Sequence, residues 1–192
     1  MHIRASHFLA GCLATAALSM TLAAHAGPNI VVNGGFESGS FAPGWTQFGD
    51  TSFSGVDTFA PHTGTFAAFF GPSAPGGIFQ TLVTAPGDFY TVRFSLMNEA
   101  DVNGVFLPNS VSVNWDGGAA EFSLTNAPVS AYQNYSFIVR ATSASTDLRF
   151  TFTQPSAFWD LDDVSAVPEP GSLALVALAG SLVALARRRR NA

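Results

Sequence analysis

The chain has 192 residues, enough for one ordinary domain, and only 11% of them are charged, none of them lysine. Twelve of the thirteen acidic residues lie between Glu37 and Asp163, against three arginines there, so that stretch carries about −9 and is a poor partner for a phosphate backbone. The single cysteine, Cys12, and three of the four histidines fall in the first 25 residues; the remainder has no disulfide, no thiolate metal site and, with His62 alone, no basis for a zinc site or a histidine triad.

In chain order, Arg4 and the apolar stretch from Phe8 to Leu22 are followed by Ala24-His25-Ala26. That order is an export signal with a small-x-small cleavage site, so residues 1–26 are expected to be removed by signal peptidase after Ala26. The stretch is short for a spanning helix, and no stop-transfer pattern follows it. Leu9-Ala10-Gly11-Cys12 also spells a lipobox, but the apolar segment ahead of Cys12 is short for that route.

From residue 27 to 166 the composition turns to Phe, Thr, Val and Ser, punctuated by Gly, Pro, Asn and Asp clusters, the pattern of an all-β domain. The predicted strands are Asn29–Asn33, Trp45–Phe48, Thr51–Val56, Phe66–Phe70, Ile78–Val83, Tyr90–Asn98, Asn109–Trp115, Ala119–Leu124, Tyr132–Arg140, Asp147–Thr153 and Phe158–Ser165. Tyr90, Val92, Phe94 and Leu96 share one face, as do Leu148, Phe150 and Phe152. Ala85-Pro86-Gly87-Asp88 and Trp115-Asp116-Gly117-Gly118 read as turns. The expected fold is an antiparallel β-sandwich, most simply a jelly roll, in one domain without internal repeats.

The tail, residues 167–192, has three ordered parts: Pro168-Glu169-Pro170, an uncharged run from Ser172 to Ala186, and Arg187, Arg188, Arg189 and Arg190. A helix of fifteen residues spans roughly 22 Å, close to but below the roughly 30 Å hydrocarbon core of a bilayer. Basic residues after it would hold orientation by the positive-inside rule. This constellation closely resembles the PEP-CTERM sorting signal, also known as the ice-binding-protein C-terminal domain. The resemblance implies a Gram-negative bacterium with an exosortase that processes the tail near Pro168-Glu169-Pro170. It also implies a transient membrane anchor at residues 172–186, a final place at the cell surface or outside the cell, and a link to exopolysaccharide and biofilm.

Within the domain, Asn33-Gly34-Gly35-Phe36-Glu37, Gly44-Trp45, His62-Thr63-Gly64-Thr65-Phe66, Phe79-Gln80-Thr81-Leu82 and Leu161-Asp162-Asp163-Val164 succeed one another. In that order they resemble the galactose-binding-domain-like jelly rolls, which include several families of carbohydrate-binding modules. The resemblance implies a structural Ca²⁺ held by the Glu37 and Asp162 carboxylates, the Gly35 carbonyl and the His62 and Thr65 carbonyls. Such an ion takes six to eight oxygens, and Asp163 or Asp160 is an equal candidate for the inward carboxylate. Sugar binding calls for an exposed aromatic platform beside hydrogen-bonding groups. Trp115, next to a hairpin turn, is the candidate, with Tyr132, Tyr135 and Asn103 behind it, while Trp45 and Trp159 are expected to pack inside. The pairs Glu99/Asp101 and Asp160/Asp162 are conceivable glycosidase carboxylates, but no nucleophile elbow, phosphate loop or dinucleotide fingerprint accompanies them. The reading is a non-enzymatic, surface-sorted matrix protein with polysaccharide as its expected partner. The alternatives are a structural or adhesive matrix protein that binds other proteins and, behind it, a glycoside hydrolase.

Overall fold

The computed structural model describes residues 27–100 and 108–170. The export segment with Ala26, residues 101–107 with Asp101 and Asn103, and the run 172–186 with Arg187 to Arg190 lie outside these residues. Ten strands follow in order: β1 (Thr46–Gly49), β2 (Ser54–Asp57), β3 (Ala67–Phe70), β4 (Gly76–Val83), β5 (Phe89–Asn98), β6 (Ser110–Trp115), β7 (Ala120–Thr125), β8 (Ser130–Arg140), β9 (Ser145–Thr153) and β10 (Trp159–Pro168). They form two five-stranded sheets, β1-β4-β9-β6-β7 and β2-β3-β10-β5-β8, and every pairing is antiparallel. The described residues contain no helix. The expected all-β antiparallel sandwich is what forms.

Alternation explains both layers. On β5, Tyr90, Val92, Phe94 and Leu96 point inward, and on β9 Leu148, Phe150 and Phe152 meet them, all at most 3% exposed. The centre is an aromatic chain: Trp45 lies edge-on to Phe150 at 6.0 Å, Phe150 edge-on to Phe94 at 5.3 Å, and Phe70 stacks on Phe152 at 4.1 Å. Such ring pairs add about 0.5–1.5 kcal/mol each to the burial of their area. Trp45 and Trp159 are both in the core, as anticipated.

One predicted strand does not form a ladder. Residues 29–33 run beside β10, but side chains replace the usual reciprocal backbone bonds. The Asn29 carboxamide oxygen accepts the N–H groups of Val31 and Ala166. The Gln80 carboxamide brackets Val32, accepting its N–H at 2.8 Å and donating to its carbonyl at 2.9 Å. Asn29 and Gln80 thus satisfy the backbone locally, which a pattern of apolar residues does not encode. At the other end β10 runs through Pro168, past the domain edge expected at 166.

Phe150→Ala removes the ring that Trp45, Phe94 and Phe152 share, and is expected to cost about 3–5 kcal/mol in urea unfolding of the purified domain. A loss below about 1 kcal/mol would mean that this aromatic chain is not close-packed.

Candidate functional site

The site begins with a fault in the ladder. β10 pairs with β5 as Asp162↔Ser95 and then as Ser165↔Arg93, so Asp163 and Val164 together oppose the single Phe94. This β-bulge places Asp163 in the left-handed region, φ +52°, and turns two successive carboxylates toward one loop. Val164 is returned to the core, 2% exposed.

The loop at residues 62–66 is fastened by those carboxylates and by Glu37. Asp162, fully buried, accepts the N–H groups of His62 at 2.9 Å and Thr63 at 3.0 Å on one oxygen, and that of Asp163 at 2.7 Å on the other. Asp163 accepts the Thr63 hydroxyl at 2.5 Å, and its second oxygen lies 2.5 Å from His62 Nδ1. Glu37 Oε1 accepts the N–H groups of Thr65 at 3.0 Å and Phe66 at 3.1 Å. Gly64 makes this close approach possible: its φ is +66°, and a Cβ there would lie 2.2 Å from Glu37 Oε1. A Cβ on Gly35 would lie 3.7 Å from Asp162 Oδ1 and 3.8 Å from Glu37 Cγ. All five residues predicted for a metal therefore converge. His62 and Thr65, however, meet the carboxylates through N–H groups rather than carbonyls. Burial raises the pKa of Asp162 against the lowering pull of its N–H partners.

The Asp162 and Glu37 carboxylates have no Lys or Arg bound to them among the described residues, and backbone N–H groups reach both oxygens of each, Glu37 Oε2 accepting that of Thr65 at 3.1 Å. Among the described residues no group of three or more His, Cys, Asp or Glu is placed to hold a metal ion. Of the donors a hard cation needs, the described residues bring together the Asp162 and Glu37 carboxylates, while His62 and Thr65 turn N–H groups toward them.

Beside this hub the outer face of the β2-β3-β10-β5-β8 sheet opens into a cavity of about 500 Å³, lined by His62, Arg93, Ser95, Asn134, Ser136 and Asp163 among others. The outward positions of β5 and β8 pair across the ladder, Arg93 with Ser136 and Ser95 with Asn134, and the Ser95 hydroxyl donates to Asn134 Oδ1 at 2.8 Å. Among the described residues the one ion pair is His62–Asp163, so Arg93 faces the cavity without a carboxylate partner. Tyr132 packs behind His62: its hydroxyl donates to the Ala60 carbonyl at 2.7 Å and its ring lies 4.8 Å from that of His62. Phe59, 84% exposed, stands on the same loop three residues before His62. A guanidinium, an amide, hydroxyls and a carboxylate in one cleft are the complement of a polyhydroxylated chain.

Trp115 does not belong to this surface, and the expectation of an exposed platform is corrected. Val111, Val113 and Trp115 alternate inward along β6, and the turn begins only at Asp116; the indole is 4% exposed and packs 5.6 Å from Tyr90. Tyr135, half-buried, does line the cleft while stacking 5.5 Å from Phe94. Sequence reasoning passed over Arg93, Asn134 and Ser136. Their signal is the polar half of the same alternation that identifies the core.

Of the carboxylates considered for hydrolysis, Asp101 lies outside the described residues. Asp162 is spent on backbone N–H groups. Asp160 is 3% exposed, one of its oxygens has no partner, and its pKa is pushed up to about 8 by burial first and then by Glu99 and Asp57. Glu99 is raised for the same reasons, burial and then Asp57. Tyr132 is raised as well, by burial and then by the surrounding carboxylates.

Residues 166–190 match the PEP-CTERM protein-sorting motif. No curated protein matches the chain. Among solved structures the sandwich is similar to TmCBM61 in complex with β-1,4-galactotriose, at 20% identity and TM-score 0.54, over 74% of this chain and 99% of that one. It is similar to the CBM22-1 xylan-binding domain from Paenibacillus barcinonensis Xyn10C, at 18% identity and TM-score 0.54, over 77% and 99%. The enzymatically active domain of bacteriophage CBA120 tailspike protein 4 matches at 17% identity and TM-score 0.53, over 72% of this chain but only 21% of that one. At these identities the likeness concerns the fold alone: an antiparallel two-sheet sandwich of the kind these domains share.

Asp160 provides a test with a definite sign. Its folded pKa of about 8 lies above the ordinary 3.8, so the native state keeps a proton that the unfolded chain loses between those values. Stability is therefore fully present below about pH 4 and falls as pH rises toward 8, with Asp162 contributing in the same direction. Asp160→Asn should flatten the decline of melting temperature between pH 5 and 8. Equal slopes in the two proteins would show that Asp160 is ionised in the fold.

Proposed function

We propose that this chain is an exported, surface-sorted, non-enzymatic protein whose sandwich binds a neutral polysaccharide of the extracellular matrix in the cleft over β5, β8 and β10. The observation that carries the reading is the cleft itself, with Arg93, which has no ion-pair partner among the described residues, and the Ser95–Asn134 pair set in line along adjacent strands. The carbohydrate-binding-module fold and the sorting motif agree with it. A neutral polymer suits a domain near −9, which repels uronic or sulfated chains. Tail processing by an exosortase and removal of residues 1–26 by signal peptidase are parts of the same reading.

Arg93, Asn134 and Ser136 are exposed on strands whose cores lie on the other face, so they can be changed without loss of fold. Arg93→Ala with Asn134→Ala is expected to weaken binding of neutral oligosaccharides at least tenfold by calorimetry while leaving the melting temperature within a few degrees. A wild-type domain that is blank on neutral glycans and on exopolysaccharide would end the binding half of the proposal. The second reading, a structural or adhesive matrix protein, draws on Val129 and Ile138, 61% and 60% exposed beside and on the long edge strand β8.

Calcium belongs to the proposal as an architectural ion between Asp162 and Glu37. When bound it supplies positive charge to a buried carboxylate. Chelation is expected to lower the melting temperature of the purified domain by several degrees, with recovery on added Ca²⁺ but not Mg²⁺. Identical melting with and without chelator would remove the ion and leave the N–H bonds as the sole clamp.

A further inference from the structure

The sorting motif is not wholly a free tail. Beyond residue 166 the last strand keeps its ladder with β5: Val167 pairs with Thr91, Pro168 pairs with Tyr90, and the Glu169 N–H donates to the Phe89 carbonyl at 2.8 Å. The Glu169 side chain is held as well, with the Thr91 hydroxyl donating to Oε1. The opposite side of β10 is closed by the first described residues. Ile30 donates to the Ala166 carbonyl at 2.9 Å and Gly27 to the Pro168 carbonyl at 3.3 Å. Gly27 packs so closely that a Cβ there would lie 3.0 Å from Pro168 Cγ. Two of the three motif residues are thus built into the end of the sandwich.

A peptide-cutting or peptide-transferring enzyme takes its substrate as an extended strand and uses the substrate's backbone N–H and C=O groups for its own contacts. In the folded domain Val167 is already paired with Thr91 and the Glu169 N–H is already committed to Phe89. We propose that the sandwich docks the Pro-Glu portion of the sorting motif, that Thr91 is the positioning residue of the dock, and that processing waits on release of residues 167–169 from β5. The proposal rests on the sorting reading above and adds to it a gate located in the domain rather than in the tail. It also brings residue 27, where the mature chain is expected to begin, against the motif, so the two processing points meet at one end of the sandwich.

Thr91 can be changed without altering the motif. Thr91→Val is nearly isosteric and removes only the hydroxyl, whereas Thr91→Ser keeps it. In hydrogen exchange of the full chain in detergent micelles, the Glu169 amide should be protected. Thr91→Val should speed its exchange about threefold to tenfold, the equivalent of one modest hydrogen bond. Thr91→Ser should restore protection, and the Leu161 amide should be the same in all three. In cells that process the motif, the unprocessed Thr91→Val chain should disappear correspondingly faster and Thr91→Ser at the wild-type rate. An unprotected Glu169 amide overturns the dock. A protected amide with Thr91→Val processed at the wild-type rate overturns the gate. Absence of processing in all three chains, whatever the exchange result, overturns the sorting reading and the gate with it.

Discussion

Strand β10 runs through the middle of its sheet, and its buried backbone has to find partners on both sides along its whole length. β5 supplies one side throughout. β3 supplies the other only from Trp159 to Leu161. Beyond that point the substitutes are irregular: the Asp162 carboxylate for the Asp163 N–H, then the carbonyl of Gly34 for Val164, then Asn29, Ile30 and Gly27 for residues 166–168. The rest of the molecule's special geometry follows from this handover from strand to loop. The bulge makes room for it, the two carboxylates exploit it, and the cleft is what remains open next to it.

The handover also links features that look separate in the chain. Glu37, the 62–66 loop and Asp162 form one clamp, because each carboxylate satisfies backbone N–H groups that no strand reaches. His62 is fixed by the clamp and lines the cleft, so loop geometry and any ligand contact are coupled. Asp160 lies on the same face, two residues earlier in the strand. Its burial near Glu99 and Asp57 raises its pKa to about 8, so it keeps its proton near neutral pH.

Much of the fold was legible because it rests on period-two alternation, which composition and spacing record directly: β5 and β9 are read from Tyr90 to Leu96 and from Leu148 to Phe152. The first expected strand failed because its partners are the Asn29 and Gln80 side chains. Trp115 was misplaced by the turn beside it, although its own alternation with Val111 and Val113 points inward. The convergence of Gly35, Glu37, His62, Thr65 and Asp162 was legible through a family resemblance, but the direction of the loop's N–H groups was not, since it depends on the backbone turn at Gly64. Arg93, Asn134 and Ser136 look like ordinary solvated positions. Only the register between β5 and β8 lines them up. The continuation of β10 into the sorting motif was hidden because Pro168 reads as a strand terminator, and here it lies at the end of the ladder with its ring against Gly27.

The central claim is that the outer face of the β2-β3-β10-β5-β8 sheet is a polysaccharide cleft. Its most direct test is an NMR titration of the purified domain with neutral β-linked oligosaccharides. The account predicts saturable shifts confined to Arg93, Ser95, Asn134, Ser136 and the 59–63 loop. Shifts on the opposite sheet, or none at any concentration up to the solubility of the sugars, would contradict it.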